Sequence, residues 1–214
     1  EKQRRLRSGE SLIDPLYCIE DALDVLLLFR AVPYQYKINI DENISFRFQD
    51  AGHVLGSASI ELWIREEGKE CKWLFSGDIG RKNKPFLRNP QRVKEADYIV
   101  VESTYGARKH RPYRKEVKKF FSIIDKTLKR GGDVVIPAFA LQRTQDIIYE
   151  LSQYYNLQIK PLKSKNKRLK KLRFYLDSPL AIAATKIYRN NPQDFARKNL
   201  KIMEKGNQLL DFQS

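Results

Sequence analysis

Across the stretch from Ile44 to Phe75, apolar and polar residues alternate with a period of two, and this alternation narrows the possible folds more than any other feature. Ile44, Phe46 and Phe48 alternate with Ser45, Arg47 and Gln49. Ala58, Ile60, Leu62 and Ile64 alternate with Ser59, Glu61, Trp63 and Arg65. That period puts the apolar set on one face of a strand, so both segments are expected to be half-buried antiparallel strands. EEGKE turns the chain, and Cys71 to Phe75 returns as a hairpin partner. Two glycine-bordered turns frame the run: AGHVLGS carries His53 after the first strand, and SGDIG carries Asp78 after the last. Each strand end thus delivers one metal-competent side chain, an arrangement suited to a metal site.

The rest of the chain reads as helices and short apolar runs. Residues Glu1 to Glu10 are charged and patternless. Glu20 to Arg30 is expected to be a helix, with Leu23, Leu26, Leu27 and Arg30 at helical spacing and Pro33 ending it. After the loop RKNKPFLRNP, Asp97 to Ser103 (DYIVVES) reads as a strand buried on both faces, with Glu102 at its exit. Pro112 opens a helix whose apolar positions Val117, Phe120, Phe121, Ile124 and Leu128 share one face, and Gly131 closes it. Asp133 to Pro137 reads as a second buried strand, followed by FALQR and a helix bearing Ile147, Ile148, Leu151 and Tyr155. Tyr149, Tyr154 and Tyr155 are expected to pack. Lys163 to Lys171 reads as a basic loop, Arg173 to Leu176 as a strand, and Pro179 as the first residue of another helix. Helix and strand in alternation imply a parallel sheet in this half. The fold class is therefore α/β, with a domain boundary near Gly106 that separates residues 1–106 from 107–214.

Charge and cysteine usage narrow the function. The 214 residues carry 41 Lys+Arg against 26 Asp+Glu, a formal net charge of +15, which favours a polyanionic partner. Cys18 and Cys71 are too few for a disulfide framework or a thiolate zinc site, so a cytoplasmic, reducing location is expected. No apolar run approaches the roughly 20 residues that span a bilayer, so no membrane partner is expected. The chain opens at Glu1 with EKQRRLR and is expected to be an internal piece of a longer protein.

A hydrolytic zinc site needs imidazole and carboxylate donors on rigid strand ends, with positions open to water and substrate. His53 and Asp78 are the candidates, and a carboxylate at Asp78 could bridge two metal ions for a displacement at phosphorus. Taken as bare residues, His53 suits a hydrogen-bonded spacer, Asp78 a turn residue, and Glu102 a polar group at a strand exit. Backbone amides at the helix start after FALQR, together with Arg143, suit phosphate binding, as does the Ser178 hydroxyl beside the helix at Pro179. Ser178 reads equally well as an N-cap, and Arg143 as a local pair.

The series AGHVLGS, FSGDIGR, VVESTYG, VVIPAFALQRTQDIIYEL and FYLDSPLA, in that order, resembles the β-CASP branch of the metallo-β-lactamase superfamily, the RNA-processing nucleases. The resemblance covers nearly all of Ser45 to Tyr188. It is strongest to the bacterial exo/endoribonuclease type and more distant to the endonuclease subunit of the cleavage and polyadenylation specificity factor. It implies the later part of an αββα lactamase core followed by the first part of a β-CASP domain. It also implies two zinc ions, one bound by His53 and both bridged by Asp78, with Glu102 bonded to a histidine that acts as general acid. The implied substrate is single-stranded RNA, and a homodimer is compatible with the family. Arg108, Lys109, His110, Arg111 and Arg114 then fall near the expected cleft mouth, where they would steer RNA or form a solvated face.

The family's HxHxDH motif is absent, and so are its two later histidines, because His53 and His110 are the only histidines here. In family order these elements lie beyond both ends of the chain. The ligand set is therefore expected to be incomplete, and the fragment by itself is expected neither to hold two zinc ions nor to cut RNA. Two rivals remain: a non-catalytic RNA-binding scaffold of the same build, and a DNA-directed nuclease of the superfamily. A small-molecule hydrolase is disfavoured, since the second domain and the +15 charge have no role in it.

Overall fold

The structure is a computed structural model that describes residues 7–9, 15–154, 174–197, 199–200 and 210. The chain divides into two compact units, residues 1–33 and 34–214. In the first, helix α1 spans Ile19–Leu26. The Asp21 carboxylate accepts hydrogen bonds from the Cys18 amide (2.7 Å) and thiol (3.0 Å), closing the helix start. The helix is shorter than its periodicity suggests. Leu27, Leu28 and Phe29 donate to the carbonyls three residues back, a tightened exit that ends the α geometry at Leu26.

The second unit is built on a five-stranded sheet in the order β1-β2-β3-β4-β5, with β1 Lys37–Asn39, β2 Ile44–Asp50, β3 Ala58–Glu66, β4 Lys69–Phe75 and β5 Tyr98–Val100. The first four strands form an antiparallel meander, and β5 joins β4 in parallel. The turn from β3 to β4 uses Glu67 and Gly68, both at positive φ (49° and 77°), the two-residue turn whose twist matches a hairpin. The register places Phe46 opposite Leu62 and Leu62 opposite Trp73, so the apolar residues do share one face, as the alternation predicts.

The polar face is the more buried one. Glu61 is 1% exposed, and its carboxylate meets Arg47 Nε at 2.7 Å, Lys72 Nζ at 2.6 Å and Gln49 Nε2 at 2.6 Å. The cations of Lys37, Arg47 and Lys72 lie 4.1–5.2 Å from the ring centre of Trp63 on that same face. Long basic side chains thus roof their own carboxylate, whereas the apolar face stays half-buried.

In residues 107–214 the helices follow the sequence closely. Helix α2, Tyr113–Lys129, buries Phe121 and Ile124. It ends in a Schellman motif, with Gly132 N–H donating to Thr127 O (3.0 Å), Gly131 N–H donating to Leu128 O (3.1 Å), and Gly131 at φ +86°. Helix α3 spans Arg143–Tyr154 and α4 spans Pro179–Asn190. Tyr154 stacks on Phe121 at 4.0 Å and Tyr149 is buried, so both pack as expected; Tyr155 and the Lys163–Lys171 loop lie outside the described residues.

The strand readings need three corrections. Tyr98, Ile99 and Val100 of β5 are at least half exposed rather than buried on both faces; Trp73 stacks on the Tyr98 ring at 4.4 Å, but no layer of described residues closes over the strand. Asp133 to Pro137 forms no strand, and neither do the described residues of Arg173 to Leu176. Val134 and Phe174 pack on the α2–α3 cluster, while Val135 and Tyr175 beside them stay open, so each segment is buried on one face only. The expected parallel sheet in this half is therefore absent among the described residues, and parallel pairing occurs instead between β4 and β5. The main core joins Phe86 and Leu87 to Ile148, Tyr149, Tyr188 and Phe195.

Candidate active site

The turn after β2 is fixed from within. The Ser57 hydroxyl accepts from the amides of His53 (3.0 Å) and Val54 (3.2 Å), and Ala51 N–H donates to Ser57 O (3.1 Å). The Asp50 carboxylate accepts from Gly52 N–H at 2.7 Å. Burial pushes the Asp50 carboxyl up, against the pull of that amide. Gly52 has φ +60°, and a Cβ there would lie 2.8 Å from Arg88 O, so the close approach itself requires glycine.

The turn after β4 rests on the same strands. Buried Ser76 donates its N–H to Val100 O (2.9 Å), and its hydroxyl oxygen accepts from Glu102 N–H (3.0 Å), which ties β4 to the exit of β5. Glu102 in turn accepts from Ile79 N–H at 2.8 Å, holding the backbone one residue past Asp78. That amide, with help from Thr104 and the facing His53, holds the Glu102 carboxyl below its ordinary range. Gly80 N–H donates to Ala51 O at 2.7 Å, and a Cβ on Gly80 would collide with Gly52 O and lie 2.6 Å from His53 N. The two turns therefore touch through main chain alone.

The result is convergence. His53 Nε2 lies 3.8 Å from Asp78 Oδ2, with the two side chains 42% and 71% exposed. An imidazole and a carboxylate facing each other in the open fit a divalent metal as two of its donors. Among the described residues no group of three or more His, Cys, Asp or Glu side chains is gathered, so the pair would supply only two donors. A cavity of about 570 Å³ between α2 and α3 is lined by none of His53, Asp78 or Glu102.

Several residues supporting the His53 turn carried no signal in the sequence. Lys84 Nζ donates to His53 O, and Leu55 N–H donates to the Tyr188 hydroxyl at 3.2 Å. Tyr188 donates to Gln142 Oε1 at 3.0 Å, and Gln142 Nε2 donates to Asp146 at 2.9 Å. Burial pushes the Lys84 ammonium down and the Asp146 carboxyl up, although each opposes the shift in the other. Apart from the local Gln142–Asp146 bond, these contacts span 31 to 133 residues of chain, beyond the reach of any local pattern.

The candidate phosphate contacts fall into two groups. Ser178 is an N-cap, accepting from Ala181 N–H at 3.2 Å, which leaves its hydroxyl proton as the available donor. The amides of Arg143 and Thr144 donate to Leu141 O (2.7 Å) and Phe139 O (3.3 Å), so the helix start is largely satisfied internally, whereas Arg143 itself is exposed. Arg108, Lys109 and Arg111 are all exposed. The Arg108 guanidinium lies over the Tyr105 ring at 4.6 Å, and Arg111 approaches Glu116 at 4.0 Å. No helix among the described residues is long and apolar enough to cross a membrane.

The chain is similar in sequence to known proteins. A ribonuclease of Thermus thermophilus is 35% identical over 175 residues, covering 82% of this chain and 37% of its own length. An RNase J-like protein of Methanocaldococcus jannaschii is 34% identical over 175 residues, covering 80% of this chain and 38% of its own. An endoribonuclease of Schizosaccharomyces pombe is 33% identical over 150 residues, covering 70% and 19% respectively. No family model matches the chain. The chain spans less than two fifths of the length of these relatives, and its likeness to them places it in the metallo-β-lactamase superfamily. Within it, the chain belongs to the β-CASP branch of RNA-processing nucleases.

Proposed function

We propose that the chain is the ligand-bearing part of a zinc-dependent ribonuclease that hydrolyses phosphodiester bonds of single-stranded RNA. The observation that carries this reading is the 3.8 Å approach of His53 Nε2 to Asp78 Oδ2 on turns locked together by Gly52 and Gly80, in a chain whose relatives are named as ribonucleases. His53 would hold one zinc ion, and Asp78 would hold the same ion and bridge to a second. When bound, the ions would supply Lewis acidity at the phosphoryl oxygen and a nucleophilic water at neutral pH.

The chain's own groups prepare that site. Glu102 fixes the Asp78 turn with Oε1 through Ile79 N–H, and its carboxylate would also orient a protonated imidazole that would donate to the leaving 3′ oxygen. Exposed Arg143, with the Ser178 hydroxyl, would hold backbone phosphates downstream, and Arg108, Lys109 and Arg111 would draw the strand in. The lactamase core would end near Gly106, where the chain leaves β5 and Glu102 and enters the basic segment before α2.

Zinc content and cleavage of single-stranded RNA by the full-length protein test the reading. His53→Ala and Asp78→Ala should each lower zinc content and reduce cleavage by orders of magnitude. Activity and zinc equal to the parent in both variants would refute the ligand assignment.

A further inference from the structure

The turn that carries His53 is held at two points by side chains distant in sequence, and one of those holds is unusual. The Leu55 amide, two residues past His53, is not satisfied by its own turn; it donates to the hydroxyl of Tyr188 on α4 at 3.2 Å. That hydroxyl donates to Gln142 Oε1 at 3.0 Å, and Gln142 Nε2 donates to Asp146 on the first turn of α3 at 2.9 Å. Tyr188 is 3% exposed, with its ring edge-on to Phe86 at 5.8 Å, so the phenol has no freedom to follow a moving turn. Gln142 is 7% exposed and sits at φ +60°, a conformation that is costly for a residue with a side chain unless its surroundings hold it.

We infer that Tyr188, backed by Gln142, is a positioning residue that fixes the His53 turn and so sets how tightly the site holds its metal. The inference rests on the reading of His53 as a metal ligand. One hydroxyl serves as acceptor for the turn and donor to Gln142, so both bonds align only when α3, α4 and the turn are in register. The docking of the two helices is thereby transmitted to the imaging of a ligand that neither helix touches. Outer supports of this kind typically govern about tenfold to a hundredfold in metal affinity.

The test uses the full-length protein, with zinc titrated against a chromogenic chelator and amide exchange followed at Leu55. Tyr188→Phe should weaken zinc binding about tenfold and speed exchange at Leu55. Tyr149→Phe is the matched control: it deletes a buried hydroxyl bonded to Asn199 at 3.0 Å, from a ring 5.7 Å from the same Phe86, without touching the turn. It should leave zinc affinity and Leu55 exchange unchanged. Gln142→Asn, which keeps a residue tolerant of positive φ but is too short to reach Tyr188, should shift both readouts in the same direction as Tyr188→Phe. Parental zinc affinity in Tyr188→Phe, or equal weakening in Tyr149→Phe, overturns the inference. Parental zinc affinity in His53→Ala instead overturns the ligand reading, and Leu55 exchange still reports on the tether.

Discussion

Glu61 offers the most quantitative test of what holds the site-bearing sheet together. Burial alone would raise its carboxyl, but hydrogen bonds from Arg47, Lys72 and Gln49 more than offset this, and it titrates at about 2 against an ordinary 4.5. The folded pKa is depressed, so the contribution to stability is fully present above pH 4.5 and is lost as pH falls from there through about 2. A depression of that size corresponds to on the order of 3 kcal/mol at neutral pH. Glu61→Gln removes the charge and leaves Arg47 and Lys72, whose side chains are 32% and 19% exposed, without their anion. Urea unfolding at pH 7 should show a loss of about 3 kcal/mol, within the range for breaking a buried ion pair. At pH 3 the unfolded carboxyl is already protonated while the folded one stays mostly ionised, so part of this contribution is lost and the gap between parent and variant should narrow. An equal gap at both pH values would show that the cluster contributes through shape rather than charge, and the reasoning would fail.

Three further outcomes follow from the geometry. Gly80→Ala drives a methyl into Gly52 O and the His53 amide, and should cost about 3 kcal/mol in urea unfolding while abolishing zinc retention by the full-length protein. Ser178→Ala removes the cap at Ala181 N–H and should lower stability by about 1 kcal/mol; a change below a few tenths would show that the cap is redundant. Replacing Arg108, Lys109 and Arg111 with alanine should weaken single-stranded RNA binding and flatten the slope of log affinity against log salt by up to about 2, as read from binding isotherms at several salt concentrations.

What the sequence revealed and what it hid separate along physical lines. Period-two alternation located β2, β3 and β4, and helical spacing with Gly131 located α2 almost to the residue, because those patterns record local geometry. His53 and Asp78 were legible because glycines mark turns at strand ends. Burial was less legible. Alternation cannot say that Glu61 will be covered by Arg47 and Lys72, and an apolar run such as Tyr98 to Val101 looks buried whether or not a layer covers it. The runs around Val134 and Phe174 had the composition of short strands, but pairing requires a neighbouring strand, which lies outside any local window. Tyr188 and Gln142 were hidden for the same reason, since their roles arise only when distant segments meet.

Because the two turns bear on each other through Gly52, Gly80 and the Ala51 carbonyl, the spacing between imidazole and carboxylate is set first by peptide geometry, and the side chains of Ser57, Glu102 and Tyr188 steady each turn around it. Substitutions around the rim, at Val54, Ile79 or Arg81, can then reshape the surface beside the pair without disturbing that spacing. A site built this way can vary in its surroundings while its centre stays put.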